Sequence, residues 1–190
     1  VLLHSLGIHR IDTHAILAAN QTGKIFQDGG FTLLVDRQVA GEFLPRVAAR
    51  LAPHNVEFHA DPESLKNLGE RARSRPAIEA DWSTEYNDYL LNVRVVPDAT
   101  AAIQHINQYG SGHSDTIVTR DPGTAAHFQA AVDSAAVYWN ASTRFTDGGE
   151  FGMGAEIGIS TDKIGARGPM GLEELCSYKW LGFGTGQIRE

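Results

Sequence analysis

Three residues that could hold an anion follow one another directly after a short apolar run. Ser142, Thr143 and Arg144 come just after the run from Ala135 to Trp139, whose sequence AAVYW is typical of a strand. A guanidinium pairs bidentately with a carboxylate or a phosphate, and neighbouring hydroxyls and backbone amides can complete the cradle. Ligands of open α/β sheets bind beyond the carboxyl ends of the strands, so this position favours a substrate site.

A structural turn explains the same residues without any ligand. Arg144 would then pair with an acidic neighbour such as Asp147 or Glu150, and composition alone favours that interpretation. The stretch from Asn140 to Gly171 is nevertheless rich in Gly, Ser, Thr and charge, and it lacks convincing periodicity. Long irregular segments inside compact domains are usually functional or disordered, so both interpretations stay open at this point.

The sequence offers no obvious nucleophile and no metal site. Its one cysteine, Cys176, excludes an intrachain disulfide, fits a reducing compartment, and in its LCSY context is expected to be a packed small hydrophobe. The eight histidines are scattered. His54 and His59 are five residues apart, which does not match the i, i+4 pair of a helical zinc motif.

Length and charge narrow the class of protein. A chain of 190 residues with 42% hydrophobic and 21% charged residues suits one globular domain. The net charge of -7 leaves no basic surface for nucleic acid or an anionic membrane, and no apolar run approaches the ~20 residues of a membrane span. The chain opens at Val1 without an initiator Met or a signal peptide, so we expect part of a longer protein.

Apolar strands alternate with helical patterns along most of the chain. A helix is predicted from Glu42 to Leu51, and others are predicted to begin behind Asp98 and behind Asp121-Pro122. The runs with strand character are FTLLV from Phe31, LLNVRVV from Leu90, TIVT from Thr116 and AAVYW from Ala135. This order predicts an α/β fold, with a mostly parallel sheet, helices on both faces and right-handed crossovers.

Several longer motifs carry a resemblance to a known family. They are NASTRFTDGGEFGMGAEIGIST from Asn140, ARGPMGLEEL from Ala166, the Tyr178-Lys179-Trp180 run, Thr84-Glu85-Tyr86 and YGSGHS from Tyr109. Together they resemble the gamma-glutamyl phosphate reductases, also called glutamate-5-semialdehyde dehydrogenases, a branch of the aldehyde dehydrogenase superfamily. The resemblance covers most of the chain from about Phe31 onward and implies an aldehyde dehydrogenase-like catalytic domain.

The resemblance also implies a reaction. Members of this family reduce L-glutamyl 5-phosphate with NADPH, giving L-glutamate 5-semialdehyde and phosphate on the route from glutamate to proline. A cysteine thiolate attacks the acyl phosphate, phosphate leaves, and hydride transfer reduces the thioester. We therefore expect a cytoplasmic oxidoreductase with a small-molecule substrate, a homo-oligomeric full-length enzyme and functional coupling to glutamate 5-kinase.

Site residues follow from the resemblance by position. Asn140, Ser142, Thr143 and Arg144 are expected on the substrate side, and Arg167 is added to them although it could instead hold loops together. Glu85 matches a glutamate that accepts hydrogen bonds from the hydroxyls of the nicotinamide ribose. By position alone, Glu85 would be a surface acid in a loop.

The sequence departs from the family pattern near its beginning. The family's nucleophile lies in a segment resembling CNxxExLLxH, and Val1-Leu2-Leu3-His4 resembles its tail. The cysteine is therefore expected before Val1, which leaves no catalytic residue in this chain and predicts that the chain alone is inactive. Residues 6–30 are a possible insertion. Residues 1–175 are assigned to the catalytic domain, and 176–190 to a C-terminal strand or tail that could serve oligomerisation, with the strand around Tyr178 to Trp180.

Three other interpretations remain. The same domain could belong to a bifunctional pyrroline-5-carboxylate synthase that also carries a glutamate kinase. An aldehyde dehydrogenase with another substrate is disfavoured by the run Ser142-Thr143-Arg144, because ordinary members have other residues there. A non-catalytic module that only folds or oligomerises is the alternative from a different class.

Overall fold

A computed structural model describes residues 15–19, 31–86 and 88–189 of the chain. Within them, seven strands form one sheet in the order β4-β3-β5-β2-β1-β6-β7. β1 runs antiparallel to both of its neighbours, β2 and β6, and every other pair in the sheet is parallel. The prediction of a mostly parallel sheet is confirmed. The strands are β1 Ala15–Ala19, β2 Phe31–Asp36, β3 Glu57–Ala60, β4 Ser74–Pro76, β5 Leu90–Val96, β6 Ser114–Val118 and β7 Ala136–Trp139.

Aspartates start the α-helices of the described residues, which are α1 Arg37–Leu51, α2 Pro62–Leu68, α3 Ala99–Tyr109 and α4 Pro122–Ala131. The side chains of Asp36, Asp61, Asp98 and Asp121 each accept a hydrogen bond from a backbone N–H in the first turn. The predicted starts behind Asp98 and Asp121 are confirmed. Short 3-10 helices span Ala52–His54, Glu79–Ser83, Thr143–Phe145 and Glu173–Leu175, and β8 Gly158–Ser160 pairs antiparallel with β9 Gly168–Met170.

The sheet is covered by helices on both faces, as predicted. Successive side chains of a strand point to opposite faces. Accordingly, Leu33 and Val35 of β2 belong to the core formed with α1 and α2. Leu34 belongs to a second core, which contains Ile106 of α3 and Phe128 of α4. These two buried clusters fix the sheet between its helices and leave the strand ends and loops to carry the site.

The two ends of the chain bear on three predictions. The expected motif tail, Val1 to His4, and most of the possible insertion at 6–30 lie outside the described residues, but Ala15–Ala19 is the sheet strand β1. The strand expected around Tyr178 to Trp180 is absent. Described residues from 176 onward are exposed and irregular, because no described strand offers this segment a ladder partner. No helix in the described ranges is long and apolar enough to cross a bilayer.

Candidate functional site

The chain reverses direction immediately after β7, at Asn140. This residue has a φ of 54°, in the left-handed region that asparagine tolerates better than most side chains. Its Nδ2 donates to the Thr119 carbonyl at 2.9 Å, and its Oδ1 accepts from the Thr119 N–H at 3.0 Å. Asn140 therefore joins the end of β7 to Thr119, the residue that follows β6. The oxygen and the nitrogen of its side-chain amide, which is predicted to bind substrate, both form hydrogen bonds with backbone.

Beyond Asn140, residues 141–146 run back along β6 rather than away from the sheet. Thr116 donates to the Ala141 carbonyl at 2.8 Å, and Ser114 at the start of β6 contacts Thr146, with 2.7 Å between their hydroxyl oxygens. We call residues 140–146 the return segment. It carries the predicted cluster from the carboxyl end of β7 toward the amino end of β6, which corrects the expectation that the cluster lies beyond the carboxyl ends.

A chain of hydroxyl groups, buried at Ser114 and Thr146 and half-buried at Tyr138, anchors the end of the return segment. The Thr146 Oγ1 lies 2.7 Å from the Ser114 Oγ and 2.8 Å from the Tyr138 hydroxyl. The Ser114 Oγ also lies 2.7 Å from Nδ1 of His113. Burial lowers the pKa of His113 and raises that of Tyr138, so the network is uncharged at neutral pH. Thr146 and Tyr138 were not singled out from the sequence.

Within the return segment, Ser142, Thr143 and Arg144 form a single exposed turn. The Ser142 Oγ accepts a hydrogen bond from the Arg144 N–H at 3.2 Å and so caps the 3-10 helix Thr143–Phe145. Arg144 and Phe145 are exposed, whereas Ser142 and Thr143 are partly buried. The structure therefore brings these three predicted residues together and presents the guanidinium to solvent.

One acidic neighbour of Arg144, Asp147, is engaged elsewhere. Asp147 Oδ1 accepts from the backbone N–H groups of Gly149 at 2.7 Å and Glu150 at 3.2 Å, closing a local turn. Among the residues that the structure describes, no carboxylate forms an ion pair with Arg144. This geometry disfavours the structural-turn interpretation of Arg144 and leaves its donors available for an anionic ligand.

Arg167, in contrast, holds loops together. Its guanidinium donates to Asp133 at the carboxylate, 3.1 Å away, and at the backbone carbonyl, 3.0 Å away. Lys163 donates to the same carboxylate at 2.5 Å, and the two cations lower the pKa of Asp133. Arg167 also lines an open groove of about 530 Å³ beside Tyr138. The structure therefore favours the interpretation that Arg167 holds loops together.

Glu85 is exposed in a loop that is fixed on both sides. Thr84 donates to the Ala80 carbonyl at 2.6 Å, and the Tyr86 hydroxyl donates to Asp81. The Tyr86 ring also packs edge-on against His59, with 5.2 Å between ring centroids. Glu85 thus presents its carboxylate to solvent from a firmly positioned turn just before β5.

The anchor of this loop is an ion pair between the buried Asp81 and the partly exposed Arg75. Asp81 is 1% exposed and accepts hydrogen bonds from Arg75 at 2.9 and 3.0 Å and from the Ile78 N–H at 2.7 Å. Burial alone would raise the pKa of Asp81, but the hydrogen bonds from Arg75, Tyr86 and Ile78 outweigh it and lower the pKa to about 2. The carboxylate is therefore ionised at neutral pH.

Glu85 and the return segment lie on opposite faces of the sheet. The neighbours of Asn92 in β5 belong to the α1–α2 core, so the side chain of Asn92 points to the other face of the sheet. His59, which supports the Glu85 loop, is in register with Asn92 and points the same way. In β6, Ile117 points into the α3–α4 core. Ser114 and Thr116, which hold the return segment, therefore point to the opposite face. Alternation therefore places the Glu85 loop on the α3 side and the return segment on the other side.

Cys176 has neither the burial nor the surroundings expected of it. It is exposed, and its thiol donates to the Leu172 carbonyl at 3.3 Å. The expectation of a packed residue is wrong, because the chain leaves the folded body at this point. No group of three or more His, Cys, Asp or Glu side chains in the described ranges is arranged to hold a metal ion.

Comparison with known proteins gives a consistent picture. No protein-family model matches the chain. The gamma-glutamyl phosphate reductase of Opitutus terrae is 59% identical over 159 residues, which are 83% of this chain and 37% of that protein. That of Ruminiclostridium cellulolyticum is 52% identical over 157 residues, 83% of this chain and 35% of the relative. The crystal structure of the Thermotoga maritima gamma-glutamyl phosphate reductase superposes with a TM-score of 0.79 at 46% identity, over 84% of this chain and 38% of that one. The chain thus spans little more than a third of these relatives.

Proposed function

The chain belongs to the gamma-glutamyl phosphate reductase family, and we propose that it contributes to the NADPH-dependent reduction of L-glutamyl 5-phosphate to L-glutamate 5-semialdehyde and phosphate. Relatives with this name point to an oxidoreductase of proline biosynthesis. In the proposed reaction the thiolate of a cysteine other than Cys176 attacks the acyl phosphate and phosphate leaves. NADPH, when bound, supplies the hydride that reduces the resulting thioester. The present chain binds and orients the substrate.

The observation that carries this proposal is the unpaired Arg144 on an anchored turn. A guanidinium with no acidic partner in the described residues can pair bidentately with the α-carboxylate or the phosphate of glutamyl phosphate. Ser142 and Thr143 add hydroxyls at the same turn, and the buried bonds of Thr146 hold that turn in place. Such a preformed anion site lowers the entropic cost of binding.

Glu85 is proposed to bind the cofactor. A carboxylate accepts from two neighbouring ribose hydroxyls, and an exposed carboxylate on a fixed loop fits that role. Glu85 lies outside the return segment, so different residues are proposed to hold the cofactor and the substrate. We also propose a cytoplasmic enzyme that is homo-oligomeric at full length and coupled to glutamate 5-kinase. The genomic sequence around this coding region would separate a monofunctional reductase from a bifunctional synthase.

Titration of the isotopically labelled chain with L-glutamate tests the substrate site. We expect chemical-shift changes in the amides of residues 142–146, and we expect Arg144→Ala to abolish them. Arg50→Ala, which removes another exposed arginine from the last turn of α1, is the matched control and should bind like the parent. Shifts that persist in Arg144→Ala, or that map elsewhere, would remove Arg144 from the site.

The cofactor role is tested separately. Glu85→Gln keeps the size of the side chain but weakens its acceptance from ribose hydroxyls, so in the natural gene product it should raise the KM for NADPH and leave that for glutamyl phosphate unchanged. Arg144→Ala should do the reverse. Equal effects of the two variants on both Michaelis constants would contradict the assignment of Glu85 to the cofactor and Arg144 to the substrate.

A further inference from the structure

A small cavity lies between α3 and the sheet, away from the return segment. It measures about 20 Å³, and its polar lining includes His105 of α3, Asp115 of β6 and Thr32 of β2. The rings of Trp82 and Tyr109 flank it, and both rings pack against His105. His105 and Asp115 are each 5% exposed, so both of these groups are buried.

The bonding of His105 fixes the position of its proton. Arg94 lies 2.9 Å from the Nδ1 atom, and because a guanidinium can only donate, Nδ1 must accept. Burial, aided by the Arg94 charge, lowers the pKa of His105 to about 4, so the ring is neutral at pH 7. The proton of a neutral ring then sits on Nε2, a buried atom that has no hydrogen-bond partner in the described part of the chain.

Asp115 supplies a matching acceptor. Its Oδ2 accepts a hydrogen bond from Ser134 at 2.5 Å, which leaves further acceptor capacity on the carboxylate. Burial raises the pKa of Asp115 to about 6, so the group is mostly ionised at pH 7. A buried donor and a buried carboxylate therefore line the same small space without bonding each other directly.

We infer that one ordered water molecule occupies this cavity, accepts a hydrogen bond from Nε2–H of His105 and donates one to the Asp115 carboxylate. The volume of about 20 Å³ has room for a water, which needs about 10–15 Å³. Buried waters bond otherwise unsatisfied polar groups, and both groups here have spare capacity. This water joins α3 to β6 next to Ser114, where the return segment is anchored.

A crystal structure of the chain at a resolution that shows ordered solvent tests the occupancy. We expect one density peak within about 3.2 Å of both His105 Nε2 and an Asp115 oxygen. An empty cavity overturns the inference, and so does an imidazole that bonds directly to a protein acceptor. This measurement uses the unmodified chain and stands even if the variants below fail to fold.

A double-mutant cycle tests the bridge in solution. His105→Phe and Asp115→Leu each remove one partner of the water, and the effects on Arg94 and Ser134 cancel in the cycle. We expect the combined fold-change in the unfolding constant to differ from the product of the single changes by more than about twofold. His105→Phe with Thr116→Val, which alters the other face of β6, is the control and should be multiplicative. Multiplicative behaviour of the His105–Asp115 pair overturns the bridge.

Discussion

The hydroxyl of Thr146 lies 2.7 Å from that of Ser114, although the two residues are 32 positions apart. This contact joins the end of the return segment to the first residue of β6, and the Tyr138 hydroxyl bonds the same Thr146 oxygen at 2.8 Å. All the predicted substrate residues except Arg167 lie in the six positions before Thr146. The orientation of the Arg144 turn therefore depends on a contact between two uncharged side chains.

Replacing Thr146 with valine should loosen this turn. The substitution keeps the shape but removes both hydroxyl bonds, and it leaves the buried Ser114 oxygen and the half-buried Tyr138 oxygen with one partner fewer, at a cost of about 1–3 kcal/mol. Urea unfolding measures that loss, and the affinity for L-glutamate should fall in parallel. Thr161→Val, at an exposed position, is the control and should change stability by less than about 0.5 kcal/mol. If Thr146→Val leaves the affinity for L-glutamate unaltered, the hydroxyl bonds of Thr146 do not position the substrate site.

Gly110 should not tolerate a side chain. A Cβ at this position would meet the Ile106 carbonyl oxygen at 2.6 Å, and backbone at that distance cannot move aside as a flexible side chain can. Gly110→Ala should therefore lower the melting temperature by several degrees, since α3 must end differently. Gly165→Ala is the matched control, because a Cβ there has nothing within 4 Å, and it should be neutral or slightly stabilising. Equal melting temperatures of the two variants would contradict the clash.

The C-terminal tail should make the chain associate with itself. Tyr178, Trp180, Phe183 and Ile188 are each at least 84% exposed, and their segment has no ladder partner among the described strands. Apolar surface of this kind favours contact with a second copy. Light scattering should show a mass that rises with concentration, and Trp180→Lys combined with Phe183→Lys should abolish the rise. Leu34→Ala destabilises the core but leaves the tail unchanged, so its mass should rise with concentration as in the parent if the tail causes the association. A mass that stays monomeric at all concentrations would contradict the prediction.

The elements were more predictable from the sequence than their tertiary contacts. Asp98 and Asp121-Pro122 signal helix starts through local chemistry, and both helices form there. The predicted start at Glu42 was five residues late, because Asp36 caps α1 immediately after β2. The missing strand at Tyr178 to Trp180 had suitable residues, but a strand also needs a neighbour, which no local pattern reveals.

The sequence predicts which residues form the site, but not the direction in which the backbone carries them. Ser142, Thr143 and Arg144 were identified as a group, yet the left-handed backbone at Asn140 and the distant Ser114–Thr146 contact turn that group back over the sheet. Such contacts depend on tertiary packing and leave no periodic signal. The Asp147-Gly148-Gly149 run, in contrast, is typical of an Asx turn, and it could have indicated that Asp147 would bond backbone rather than Arg144.

Finally, His105 and Asp115 should give opposite pH dependences of stability in one pH window. The folded pKa of His105 is lowered from 6.5 to about 4, so the unfolded chain binds more protons between these values and stability rises with pH there. The folded pKa of Asp115 is raised from 3.8 to about 6, so the folded chain binds more protons and stability falls with pH over nearly the same range. The two slopes should largely cancel in the parent chain. Unfolding free energies measured from about pH 4 to 6 should rise with pH more steeply in Asp115→Asn than in the parent, and less steeply in His105→Phe. Parallel curves for the three proteins would show that neither group titrates as its burial requires.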